Sequence, residues 1–572
     1  MEMKYLALLG GLLTSGGFQP AVACEQADLV LHNATIYTVN DKAPRAEALA
    51  IRDGKFIYVG NEDGVKPYLC GGNDIRDLKG MAVYPGFTDS HYHLKGVGYR
   101  EKELNLQGAE SLAKMLQQVS AYLQAHPVAE GGWLTGRGWI EKTWPEKRFP
   151  TRQEIDEIVP DRPAFLVRAD GHAGIANSLA LKMAGINAAA PDPNGGEILK
   201  DASGEPTGML VDNAMELVTR LIPEPSRADD KEAFLLATER NAALGWTQIQ
   251  NAGGTWRDLE LLEELRQEGR LKTRVYYALS DGAPAKRLLA EGPITDPDHM
   301  IVARAIKLYT DGALGSRGAA LLADYADHHG KGLLLTDHDK IMPILIEALT
   351  KGIQIETHAI GDRANRLVLD WYQEAFNTVP PEQRKVKAPR WRIEHAQNIH
   401  PDDQQRFIDL GVIPSMQASH AIGDLHFARD RLGLERLKYA YPWKDMIKKG
   451  AVIPGGSDAP VEIGDPRIEF YAAVTRKDLN GFQAEGWHPE QALSREEALK
   501  MLTLWPAIAA FQEDVRGSIE VGKLSDLTVL TKDIMTVPED FIMSAVTAMT
   551  VVGGHIVADP VIVMVTTPKN EQ

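Results

Sequence analysis

Eight short apolar runs, several of them separated by helix-like sequence, bound what this chain can fold into. They cover 81–88, 246–252, 273–279, 304–310, 352–358, 390–395, 410–416 and 450–456. Between them lie stretches such as DLELLEELRQEG, IMPILIEALTKG and PDDQQRFIDLG, with apolar residues at helical spacing. Strand–helix alternation repeated eight times predicts an α/β chain with a (β/α)8 TIM barrel. Such a barrel takes about 250 residues, and this chain has 572. Part of the excess falls after the first run, where roughly 95–240 carries its own strand and helix (AFLVRADGH, SLALKMAGI) and reads as an inserted subdomain. The rest lies at the ends. Residues 24–80 and 506–572 both read as short strands with turns at Asp53-Gly54 and Gly553-Gly554. A small β-sandwich-like domain assembled from both ends, beside a barrel domain of 81–505, is the expectation.

The N-terminus has the features of a signal peptide. Lys4 precedes YLALLGGLLTSGGF, an apolar run too short to span a bilayer, and Ala21-Val22-Ala23 is a cleavage pattern. Removal of residues 1–23 and export to the periplasm or medium are expected, with no transmembrane span elsewhere. The two cysteines are Cys24 and Cys70. In an oxidising compartment they would pair; lipidation of Cys24, or two free thiols, are the alternatives. A net charge of -17 argues against nucleic-acid binding.

Catalytic groups of a barrel sit at the C-terminal ends of its strands. The first run leads into Asp89-Ser90-His91-Tyr92-His93. Alternation along a strand puts His91 and His93 on one face, where two imidazoles can hold a divalent metal and Asp89 can orient them. The fourth run carries Lys307, costly in an apolar strand unless paired. The fifth ends in His358, the sixth in His395, and the eighth is followed by Asp458. Each has an ordinary explanation alone: a hydrogen-bonded histidine, a snorkelling lysine, a helix N-cap. The conjunction does not.

This order of HxH, Lys, His, His and Asp resembles the metal-dependent amidohydrolase superfamily, and more narrowly the branch with N-substituted formamide deformylases, amidohydrolase family 3. Similar stretches run through most of the mature chain, among them VYPGFTDSHYHL, IKLYTDGALGSRGAAL, IETHAIGDRA, RIEHAQ and GSDAPVE. The resemblance implies a hydrolase of small-molecule amides or related C–N bonds, with two divalent metal ions, zinc being the expected one. His91, His93 and Asp458 would bind the more buried metal, and Asp458 would also be the general base. Lys307 would be carboxylated and bridge the metals, and His358 and His395 would bind the second. Many such proteins form homodimers, although no segment here marks an interface. His172, Arg317, Gln417 and His420 are further candidates for substrate binding, with Asp170 beside His172. Trp139 and Arg476 lie in similar stretches without a role. Ala459 stands where relatives often have an aromatic residue and is expected to widen the pocket. The alternatives are a mononuclear deaminase or cyclic-amide hydrolase of the same fold, which Lys307 argues against, and a non-catalytic binding barrel, which the complete ligand set argues against.

Overall fold

The computed structural model describes residues 24–126, 132–141, 144–168, 173–193 and 196–559. The signal-peptide segment, Asp170, His172 and the apolar run VIVMVTT lie outside the described residues.

Eight parallel strands form the central sheet: β1 (Phe87–Tyr92), β2 (Trp246–Ala252), β3 (Arg274–Ser280), β4 (Ile301–Tyr309), β5 (Gln354–Ala359), β6 (Arg392–His395), β7 (Ile413–Gln417) and β8 (Gly455–Gly456). Each pairs in parallel with the next. Helices such as α1 (Trp256–Gln267), α2 (His338–Lys351) and α3 (Asp362–Thr378) cover the outside, as a right-handed β–α–β path requires. The ring closes with little ladder pairing. Asp458 N donates to His91 O at 2.7 Å, His93 N donates to Ala459 O at 2.8 Å, and the Asp89 carboxylate accepts from Ser457 N (3.0 Å) and Ser457 Oγ (2.6 Å). Only Gly455 and Gly456 of the expected run 450–456 are strand. A side chain at Gly456 would come within 2.4 Å of His91 N, so glycine is what lets β8 approach β1.

The expected run 81–88 is two strands. Ala82–Pro85 pairs antiparallel with Leu527–Leu530 in a six-stranded sheet of both chain ends, and β1 begins after Gly86. A Cβ on Gly86 would meet Thr247 Oγ1 at 2.2 Å, so Pro85-Gly86 is the hand-over from one sheet to the other. A four-stranded sheet (Leu29–His32, Ala48–Arg52, Lys55–Gly60, Asp74–Asp77) packs on the six-stranded one, with Leu31, Ile51, Phe56, Val83, Val529 and Val551 between them. Cys24 and Cys70 are disulfide-bonded.

Between β1 and β2, the helices Leu94–Lys102 and Arg227–Leu244 flank the barrel, joined by Lys102 to Asp229 and Glu232. The separate sheet is therefore narrower than 95–240: it runs from Leu104–Asn105 to Pro206–Asp212, with its own apolar core. Trp139 belongs to that core and donates to Leu166 O at 2.9 Å. Arg476 is also structural, with its guanidinium over Trp443 and Trp487 and bonded to the carbonyls of Tyr441 and Trp487.

The barrel lumen departs from the branched aliphatic filling usual in this architecture. At the bottom, Arg516 donates to Gln248 Oε1 (2.6 Å) and Thr88 Oγ1 (3.0 Å). Arg274 makes a two-pronged contact with Asp526 at 2.8 and 3.0 Å. Higher up, Arg392 reaches Gln250 Oε1 (2.6 Å), Ser415 Oγ (2.9 Å) and Glu394 Oε1 (2.7 Å). Such buried charge is tolerable because each ion has partners.

Candidate active site

At the C-terminal mouth, the ligand atoms of His91, His395 and Asp458 lie within 4.8 Å of one another, all on buried residues. His91 and His93 come from the end of β1, His395 from the end of β6, and Asp458 from the turn after β8. His93 Nε2 is 2.9 Å from Asp458 Oδ1, and His91 Nε2 is 3.6 Å from the same oxygen. That oxygen nevertheless accepts no hydrogen bond. Crowded donor atoms out of hydrogen-bonding line suit a cation between them, and imidazole with carboxylate suits zinc and its neighbours. The His358 and His395 rings lie 4.5 Å apart between centroids, and His358 Nε2 is buried without a hydrogen bond. Lys307 is fully buried, and its Nζ is 3.3 Å from His91 Nε2. The six residues expected to ligate metal thus come from β1, β4, β5, β6 and the β8 turn to one mouth. His395 (φ 71) and Asp458 (φ 59) both have left-handed backbone, a cost for non-glycine residues that concentrates at functional sites.

Burial pushes the Lys307 ammonium down from its ordinary value, against the pull of Glu394 and Asp458. Burial also pushes His91 down to about 4, with Lys307 adding to the effect. Burial acts upward on the Asp458 carboxyl, but His91, His93 and His395 outweigh it and hold the group well below the usual range. Burial also pushes His395 down, so it disfavours the charged form of the His91 and His395 rings while Asp458 is held ionised, as metal ligation requires.

Several positions differ from expectation. Asp89 does not orient the histidine rings: it clips β1 to Ser457 and accepts from His91 N at 3.1 Å. Glu394, which sequence reasoning missed, makes a very short contact with His91 Nδ1, and Arg392 anchors Glu394 from behind. The neighbouring RIEH stretch was the available signal. Gln417 Oε1 is 2.8 Å from His395 Nδ1, so its amide oxygen orients that ring. Arg317 points to Asp327 at 2.8 Å, an aspartate shared with Arg431. Ala459 is fully buried, and a side chain at Gly464 would meet its Cβ at 2.7 Å. His420 is at the site: its Nε2 is 3.6 Å from Asp458 Oδ2, and its ring stacks 5.7 Å from that of His395. Asp311, also missed, accepts from Ala320, Ile360 and Gly361 N at 2.8–3.0 Å and lies 3.4 Å from His358 Nε2.

Residues 74–558 match the Amidohydrolase family. Similar proteins include Protein LONG AFTER FAR-RED 3 of Arabidopsis thaliana, 33% identical with 93% of this chain and 92% of that one covered. The N-substituted formamide deformylase of Arthrobacter pascens is 29% identical, with 89% and 94% covered. Among solved structures, an uncharacterized metal-dependent hydrolase from Pyrococcus horikoshii superposes with a TM-score of 0.73 at 29% identity, covering 89% of this chain and 99% of that one. The chain belongs to the amidohydrolase family: it is a metal-dependent hydrolase of carbon–nitrogen bonds.

Proposed function

We propose that the protein is an exported hydrolase of small-molecule amides that uses two divalent metal ions, with zinc the expected one. The observation carrying this reading is the convergence of buried imidazoles, Asp458 and the buried Lys307 on one mouth. In it, His91, His93 and Asp458 would hold one ion, His358 and His395 would hold the other, and carboxylated Lys307 would supply an anionic oxygen ligand. Lys307 suits that role because burial disfavours its ammonium, and a neutral amine can add to carbon dioxide and lose a proton to give an anionic oxygen ligand. The ions, when bound, acidify the attacking water and polarise the amide carbonyl. Asp458 accepts the proton from that water and delivers it to the leaving nitrogen. Glu394 and Gln417 hold the His91 and His395 rings in the tautomers this arrangement needs. Export is supported by the Cys24–Cys70 bond, a feature of oxidising compartments; N-terminal sequencing of secreted protein should begin at Cys24.

The compact trio His91, His395 and Asp458 favours a second reading with one ion. Elemental mass spectrometry with intact native mass decides between them. About two ions per chain plus the mass of carbon dioxide support the two-metal reading; one ion with unmodified lysine supports the second. Asp458→Asn should retain at least one ion and lose turnover by roughly a hundredfold or more. Full activity in that variant would remove Asp458 as the base.

A further inference from the structure

The connection after β8 is fixed by its backbone. Arg100 donates to the carbonyls of Glu462 (2.8 Å) and Ile463 (2.9 Å), Arg240 to Ile463 O (2.6 Å) and Trp246 Nε1 to Gly464 O (3.0 Å). Val461 and Ile463 point outward, 65% and 47% exposed. Glu462 turns inward: its side chain is 29% exposed, with Oε1 3.9 Å from His420 Nε2. The arginines that could neutralise it use these donors on carbonyls instead. Among the described residues, no side chain or backbone group donates a hydrogen bond to its carboxylate. Gly423 leaves the space beside it open, since a Cβ there would already lie 3.6 Å from Oε1.

His420 Nε2 is buried and without a hydrogen bond. It stands between Asp458 Oδ2 at 3.6 Å and Glu462 Oε1 at 3.9 Å, too far to bond either. A polar group of a ligand that reached Nε2 would satisfy it. Asp424 adds negative charge behind it, its Oδ2 held by Tyr441 (2.7 Å) and Gln397 (2.8 Å). On the β4 side, across the barrel, Tyr309 and Leu335 are exposed. The Tyr309 ring is 5.8 Å from that of His358 and the residue is 44% exposed, and the exposed Leu335 is bonded through its N–H to Thr310 O. Glu462 and Asp424 thus place carboxylates on the His420 side of the mouth.

We propose that Glu462 is a specificity-determining residue of the site, and that the preferred amide carries a second, cationic group on its leaving amine. The argument rests on the hydrolase reading above, in which Asp458 protonates the leaving nitrogen. Glu462 stands one imidazole beyond Asp458, so a substituent on that nitrogen meets it. A carboxylate with open lone pairs and little water around it selects ammonium or guanidinium. Acylated diamines are the simplest substrates of this class.

The test compares N-acetyl-1,4-diaminobutane with N-pentylacetamide, of equal length but uncharged, as substrates of the metal-loaded full chain. The ratio of their kcat/KM should favour the cation by roughly ten- to a hundredfold. Glu462→Gln should bring that ratio toward one, and Glu462→Asp should keep most of it, with metal content and melting temperature as controls on folding. Calorimetric binding of 1,4-diaminobutane against pentan-1-ol, of equal length but uncharged, repeats the comparison without turnover. No diamine preference in the wild type, or a preference that Glu462→Gln leaves unchanged, overturns the assignment whatever the turnover. Failure of the metal-loaded enzyme to cleave any amide overturns the hydrolase reading, while the amine titration still judges Glu462.

Discussion

Glu394 shows how much of a metal site lies one residue behind its ligands. It contacts His91 Nδ1 and is anchored by Arg392, which also reaches Ser415 and Gln250. Burial alone would push this carboxyl up; Arg392, His91 and Lys307 outweigh it and hold it down to about 2. An ionised Glu394 fixes the proton on His91 Nδ1 and leaves Nε2 for the metal. Glu394→Gln should therefore weaken metal binding by about ten- to a hundredfold, read by titration of the apo-protein against a chromophoric chelator. Unchanged affinity would show that His91 orients without it. The candidate ligands stood out because they lie at or near strand ends, where a barrel exposes its chemistry. Glu394 did not: whether a strand carboxylate faces the lumen and meets a histidine from β1 depends on how the ring closes.

Closure is the matter at the level of elements. β8 is two glycines long, and backbone and side-chain bonds from Asp89, Ser457 and Asp458 do what a longer ladder would. Gly456→Ala should push β8 from β1 and displace Asp458 from His91 and His93, since the added carbon would lie 2.4 Å from His91 N and 2.8 Å from Asp89 Oδ1. The expected outcome is loss of bound metal together with a melting temperature lower by several degrees. Metal content equal to wild type would mean the strands yield without moving the ligands. The number and order of strands were legible from periodicity. The division of 81–88 into two strands of different sheets was not, because an unbroken apolar run looks the same whether it stays in one sheet or changes sheet at Pro85-Gly86.

At the level of the whole molecule, the C-terminal segment is joined to the barrel by a buried charge cluster. Asp526 accepts from Arg274 (2.8 and 3.0 Å), Arg516 (3.3 Å) and Gly553 N (2.9 Å). Burial works against its ionisation, but Arg274 and Arg516 more than offset this and keep its folded value below the ordinary one. A lowered carboxyl contributes stability above its unfolded value, near about 4, and loses it as pH falls through the folded value. Asp526→Asn should cost about 3–5 kcal/mol at neutral pH and flatten the acid limb of a urea-stability profile. A parallel profile would place the acid sensitivity elsewhere. The pairing of Ala82–Pro85 with Leu527–Leu530 also sets an order of events during synthesis. The strand that leads directly into β1 leaves the ribosome with its partner still more than four hundred residues from being made. Until then its edge is open to any other extended chain, a delay that long-range pairing imposes and aggregation exploits. A nascent chain released before Leu527 should thus be held by chaperones or lost to inclusion bodies, even though every proposed metal ligand has already been translated.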